Sequence, residues 1–184
     1  MSFPEGQSFS KNITAIGYTD CDKKPAFKLA LHKDGDRWYL YCGLFWQSGF
    51  SIIEVTDPTN PRFVRYVEGP SNTWTLQVQV ADGLLVTSQE KIMEGWGHVE
   101  GQTWGEGVLI WDLKDPENPE LLSHWKTGGD GTHRNYYDGG RYIYATGVPE
   151  GFQGNIMQIL DIEDPRNPVE VGRWWMEGQN VGGG

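Results

Sequence analysis

Two of the four histidines stand where a side chain could do chemistry. His133 follows Asp130 closely and is succeeded by Arg134 and Asn135. An imidazole titrates near neutral pH, so His133 suits proton transfer as general base or acid. The guanidinium beside it could grip a carboxylate through two parallel hydrogen bonds. His98 lies in a glycine-rich stretch with Trp96, Glu100 and Trp104. His98 and His133, with Glu100 or Asp130, also have the donor types of a divalent-metal site, at a spacing that specifies none. No cofactor is implied. His-Glu-x-x-His, Cys-x-x-Cys, Gly-x-Ser-x-Gly and phosphate-loop motifs are all absent.

These residues become a site only if the fold brings them together, and the chain carries a repeat that would do so. The copies are GFSIIEVTDPTNPRFVRY from Gly49, GVLIWDLKDPENPELLSHW from Gly107 and NIMQILDIEDPRNPVEVGRW from Asn155. Their aspartates, Asp57, Asp115 and Asp164, recur at the roughly 50-residue spacing of propeller blades. The shared Asp-Pro-x-Asn-Pro turn has a local mechanism. The Asp carboxylate accepts from backbone N–H groups ahead of it. The first proline fixes φ, and the second forces the preceding Asn out of the helical region.

An apolar run precedes each turn, as expected of a strand covered on both faces. A more polar run follows, suited to an outer strand. Upstream lie two β-rich arms around Asp-Gly, a strong hairpin signal. Two hairpin strands, one buried strand and one outer strand make a four-stranded blade. The sequence therefore predicts an all-β chain of three propeller blades, about 27–67, 75–125 and 133–175, with the start of a fourth by residue 184. Residues 1–26 form an N-terminal segment in which NITAIGYTD could be a ring-closing strand.

The three turns in register resemble the LVIVD-repeat family of β-propellers, whose apolar strand box is matched loosely by SIIEV, LIWDL and QILDI. The resemblance covers roughly 27–175 and implies the fold, with little about function. Closed propellers use about 4–8 blades. Three blades thus imply half of a ring of six or seven, completed by a second copy or a second chain; a processed precursor or a truncated sequence would account for the same count.

Propeller topology gathers the candidate residues. The loops between second and third strands, and the segments linking blades, emerge at one end. Trp46 and Phe152 lie in such loops, as do Trp96, His98 and Trp104 within the insertion from Ser88 to Gly107. Trp74, Asp130, His133, Arg134 and Asn135 lie in or just after the linking segments. Lys28 and Gln77 take the matching inner-strand positions of the first two blades. An aromatic-walled, polar-tipped cavity at the channel mouth would suit a small polar or aromatic organic molecule. His133 would carry the proton and Arg134 or Lys28 an anionic group, in a hydrolase, lyase or isomerase reaction. The alternative is a non-catalytic scaffold that binds another protein through the same tryptophans. Each residue also has an ordinary role: a strand-end histidine, an inter-blade ion pair, a solvated loop. Trp38, Tyr39, Trp111, Trp125, Tyr142, Tyr144 and Trp174 fall in strands and read as blade packing.

Composition bounds the partners. A net charge of -10 argues against nucleic acid and anionic lipid. No apolar stretch approaches the roughly 18 residues of a membrane span. MSFPEGQSFSKN lacks the basic-then-apolar pattern of a signal peptide, and Cys21 and Cys42 make no disulfide framework. A cytoplasmic protein with reduced thiols is the expectation.

Overall fold

A computed structural model describes residues 11–183. The first ten residues, most of the stretch read for a signal peptide, and Gly184 lie outside the described residues. The described chain is all-β, its one helical element a 3-10 turn at Cys21–Lys23. Strands β1 (Ala26–Asp34), β2 (Arg37–Leu44), β3 (Gly49–Glu54) and β4 (Arg62–Glu68) form an antiparallel meander. In the second sheet, β5 (Thr73–Trp74) and β6 (Val78–Ala81) both pair with β7 (Leu84–Lys91), followed by β8 (Gly107–Asp112) and β9 (Glu120–Trp125). Strands β10 (Gly129–Tyr136), β11 (Tyr142–Pro149), β12 (Ile156–Asp161) and β13 (Val169–Trp174) continue this second sheet, β10 joining β7 at the Gly131–Glu90 pair. This is a β-propeller arrangement, its successive blades being β1–β4, β5–β9 and β10–β13, and among the described residues no helix is long and apolar enough to cross a membrane.

The turns form as their chemistry dictates. The Asp57, Asp115 and Asp164 carboxylates accept from the N–H of Thr59, Glu117 and Arg166 at 2.9, 3.1 and 3.0 Å. In each turn the Asp carbonyl also accepts from the Asn N–H three residues on, at 3.0 Å.

Blades stack through two cores. Tyr39, Tyr41, Phe50 and Ile52 of the first blade meet Val78, Leu85 and Leu113 of the second. Val86, Val108 and Ile110 of the second meet Tyr137, Ile143, Ala145, Leu160 and Ile162 around the third. Each fully buried side chain of this size is worth about 1.5–3 kcal/mol. The Asp-Pro turns lock the stacking. The Tyr41 hydroxyl donates to the Pro116 carbonyl at 2.8 Å, and the Ser123 hydroxyl to the Pro165 carbonyl at 2.6 Å. Arg62 pairs with Glu117 at 2.8 Å across the first junction, joined there by Arg37, and Arg166 with Glu120 at 3.0 Å across the second.

The third blade departs from the packing expected of it. Its strand β12 alternates buried and half-buried residues because one face of the blade has no described residues stacked on it. Tyr142, Tyr144 and Trp174 are consequently exposed on that blade, and Trp38 is partly exposed on the first. Residues 12–20 form no strand; Gly17 lies against the Pro58 carbonyl of the first blade. Beyond β13 the chain turns back, and Asn180 bridges to Phe152. Comparable links tie Thr75 to Leu44 and Gly131 to Glu90.

Candidate functional site

His133 owes its placement to a β-bulge. Thr132 pairs with Gly147 and Arg134 with Thr146 on β11, so His133 is the extra, unpaired residue. Bulges re-aim side chains, and this one turns the imidazole toward the second blade. Its Nδ1 lies 2.7 and 2.9 Å from the two carboxylate oxygens of Glu90. With a carboxylate as acceptor Nδ1 carries a proton, so in the neutral ring Nε2 is the nitrogen with the lone pair. Both side chains are half-buried, at 28% and 15% exposure, so the pair is shielded yet reachable.

Glu90 is itself fixed from both sides. It pairs with Trp74 of β5 and with Gly131 of β10. Gly131 has φ +94°, and a Cβ there would lie 2.1 Å from the Gln89 carbonyl, so only glycine lets the third blade approach this closely. The dyad therefore spans the junction of two blades.

Trp74 belongs to an aromatic pocket. Phe45 is the hub, with ring centroids 4.7 Å from Trp46, 5.3 Å from Trp74 and 5.6 Å from Trp96. Trp46 and Trp96 stack at 6.3 Å. These rings, with Ile92, Gly95 and Gly97, enclose a hollow of about 520 Å³. Residues directly opposite in a sheet have their Cα atoms about 5 Å apart, so Trp74 links the backbone of Glu90 to this pocket, whose lining includes neither Glu90 nor His133.

The insertion is shorter than the sequence suggested, because Ser88–Lys91 belong to β7. Its remainder is tied down. The Asn72 amide donates to the carbonyls of Val99 and Gln102 at 3.2 and 3.3 Å, and Asn72 accepts from the Val99 N–H at 2.9 Å. Gly105 N–H donates to Thr73 at 2.7 Å. Trp104 donates to the Gly129 carbonyl at 3.2 Å, and the Lys91 ammonium lies over its ring at 4.6 Å. Lys91 also sits 3.9 Å from Asp130.

The other expected residues are placed as follows. His98 is edge-on to Trp104 at 6.4 Å, with a buried Nδ1 that has no hydrogen-bond partner among the described residues. Phe152 and Asp130 line a neighbouring hollow of about 450 Å³. Gln77, just before β6, and Asn135, in β10, are buried; the Asn135 carbonyl accepts from Gln79 at 2.6 Å. Gln77 Nε2 and Asn135 Oδ1 have no hydrogen-bond partner among the described residues. Lys28 is exposed opposite Gly43. Arg134 is exposed, its N–H donating to Thr146 at 3.0 Å, and it makes no described contact with the dyad. By register Arg134, not His133, matches Lys28, and the bulged counterpart of His133 is Phe27. No cluster of three His, Cys, Asp or Glu side chains suited to a metal occurs among the described residues. Glu90 and Phe45 went unnoticed in sequence, since nothing local marks a glutamate as the partner of a histidine 43 residues away.

No family model and no curated protein matches the chain. The resemblance to LVIVD repeats thus rests on the three turns and their strands. Among solved structures, the chain is similar to the crystal structure of a thermostable family-43 glycoside hydrolase at 13% identity and TM-score 0.49. The match covers 83% of this chain and 55% of that one, so the chain spans about half the length of its structural neighbour.

Proposed function

We propose that the blade end bearing Glu90 and His133 is the active site of an enzyme that performs acid–base chemistry on a small organic molecule. The observation that carries this reading is the Glu90–His133 pair at 2.7 Å beside an aromatic pocket. Nε2 of His133 takes a proton from substrate or water and returns it later in the cycle. Glu90 holds the ring in one tautomer and stabilises the imidazolium that forms. Phe45, Trp46, Trp74 and Trp96 seat a ring or apolar group of the substrate, and Lys91 offers a cation toward the same end. Hydrolysis, elimination and isomerisation all fit this set of groups.

The test is turnover across a panel of small esters, lactones and glycosides, followed by His133→Gln and Glu90→Gln on whichever substrate reacts. General acid–base catalysis contributes about 10²–10⁴-fold, so kcat should fall by that order with His133→Gln. Undiminished turnover in a folded variant removes His133 from the mechanism.

A second reading is favoured by the exposure of Trp46 and Trp96, at 61% and 49%. Aromatic side chains of this kind anchor protein interfaces, and the same end could bind a protein without chemistry. Trp46→Ala would then abolish a stoichiometric complex while His133→Gln left it intact.

A further inference from the structure

The junction of the first two blades is packed but not filled. Phe50 belongs both to the core between them and to the wall of a cavity of about 330 Å³. Phe50 and Val67 wall it from the first blade, and Leu109, Trp111 and Leu121 from the second. The Phe50 and Trp111 rings meet edge-on across the junction, with centroids 5.3 Å apart. An apolar cavity of about 150 Å³ holds a benzene ring, so this one has room for two fused rings.

Strand β7 supplies a polar floor. Side chains alternate along a strand, so Leu85, Thr87 and Gln89 face the first blade together, while Glu90 turns to His133. Thr87 Oγ1 accepts from the Trp111 indole N–H at 3.2 Å. Thr75 Oγ1 accepts from the Gly49 N–H at 3.0 Å and from the Gln89 amide at 3.2 Å. Gln89 is only 1% exposed, yet its Oε1 has no hydrogen-bond partner among the described residues. Buried polar atoms in native proteins are almost always paired. The floor thus presents an acceptor that lacks its donor.

The repeat does not impose this space. Counted from the turn aspartates, Gln158 of the third blade stands where Leu109 does, and Glu170 and Arg173 stand where Leu121 and His124 do. There the Gln158 amide donates to Glu170 at 3.1 Å, and Arg173 pairs with Glu170 at 3.0 Å. Polar side chains bond one another at the positions that line the cavity in the second blade.

We propose that this cavity binds a neutral, flat aromatic molecule with one N–H or O–H donor, its rings against Phe50, Leu109 and Trp111 and its donor on Gln89 Oε1. The walls are apolar, which favours a neutral ligand. Glu68, exposed at the rim, and the net charge of -10 both oppose an anion. Neither Glu90 nor His133 lines the cavity, so this site stands apart from the acid–base reading of the dyad.

Indole titrated into the full-length protein by calorimetry tests this, with 1-methylindole as the ligand that has the same rings and no donor. Indole should bind saturably, and 1-methylindole about fivefold more weakly, the worth of one hydrogen bond. The methyl NMR signals of Val67, Leu109 and Leu121 should shift during the titration. Leu121→Trp, at a side chain already 46% exposed, should fill the cavity mouth and abolish binding. Trp46→Ala, in the separate aromatic pocket, should leave binding unchanged. Absence of saturable indole binding, equal affinity for the two ligands, or loss of binding in Trp46→Ala overturns the proposal. Should Leu121→Trp fail to fold, the wild-type methyl shifts decide, and shifts confined to Ile92 beside Trp46 are equally fatal.

Discussion

Tyr41 and Tyr144 hold the same position in two blades, and only one of them is covered. Tyr41 on β2 sits opposite Ile52 of β3, and Tyr144 on β11 sits opposite Ile159 of β12, each isoleucine five residues before its turn aspartate. Tyr41 is fully buried and donates to the Pro116 carbonyl at 2.8 Å. Tyr144 is 38% exposed, with Tyr136 at 6.5 Å as its described ring contact. A repeated residue therefore acts as an inter-blade latch only where a following blade presents its Asp-Pro carbonyl.

Removing the two hydroxyls should separate these states. Tyr41→Phe leaves a buried carbonyl without its donor and should cost about 1 kcal/mol. Tyr144→Phe, at the exposed site, should change stability by less than about 0.5 kcal/mol. Urea midpoints of the two variants check this, and equal losses would contradict the assigned latch.

The dyad predicts a tautomer. With Nδ1 donating to Glu90, the nitrogen NMR shifts of His133, read in its neutral form at alkaline pH, should show a protonated Nδ1 and an unprotonated Nε2. In Glu90→Ala the ring loses that acceptor and should relax toward the mixture of tautomers found in free imidazole. Unchanged shifts in Glu90→Ala would show that the carboxylate does not set the tautomer.

The blades were legible in sequence because their signals are local. Asp57, Asp115 and Asp164 cap turns through atoms two and three residues away. His133 was visible as a candidate, but its orientation depends on a bulge set by pairing with β11, and that also turned Arg134 from the expected site to an exposed strand position. Glu90 was hidden because its role follows from the Gly131 bridge between blades. The aromatic pocket was half legible: Trp46, Trp74 and Trp96 were named, while Phe45, the ring they surround, was not.

Gly107 tests the strand geometry. It opens β8 at φ +100°, and a Cβ there would lie 2.0 Å from the Trp125 carbonyl. The equivalent Gly49 of the first blade has φ +96° and the same clash, with Val67. Gly107→Ala combines a disfavoured backbone region with backbone contact, so it should destabilise by about 1–3 kcal/mol. Gly95→Ala, with nothing within 4 Å of its Cβ, meets no such contact and should lose less. Thermal midpoints of the two variants compare them directly.

Acid should weaken the turns in a defined direction. The carboxylates of Asp57, Asp115 and Asp164 lie below the ordinary aspartate range, chiefly through side-chain hydrogen bonds from Thr59, Asn118 and Asn167. A carboxylate lowered by folding stabilises the fold fully above its unfolded value, about 3.9. That contribution is lost as pH falls through the lower folded-state value. Asparagine can still accept from the backbone in this turn but does not titrate. It cannot accept as well from the amides of Asn118 and Asn167, which reach the carboxylates at 2.9 and 2.6 Å. The triple variant Asp57→Asn, Asp115→Asn, Asp164→Asn should therefore be less stable than wild type at pH 7, and the gap should close on acidification below about pH 4. Urea midpoints of both proteins at successive pH values measure the gap, and a gap that stays constant to pH 2 would show that these carboxylates do not hold the turns by charge.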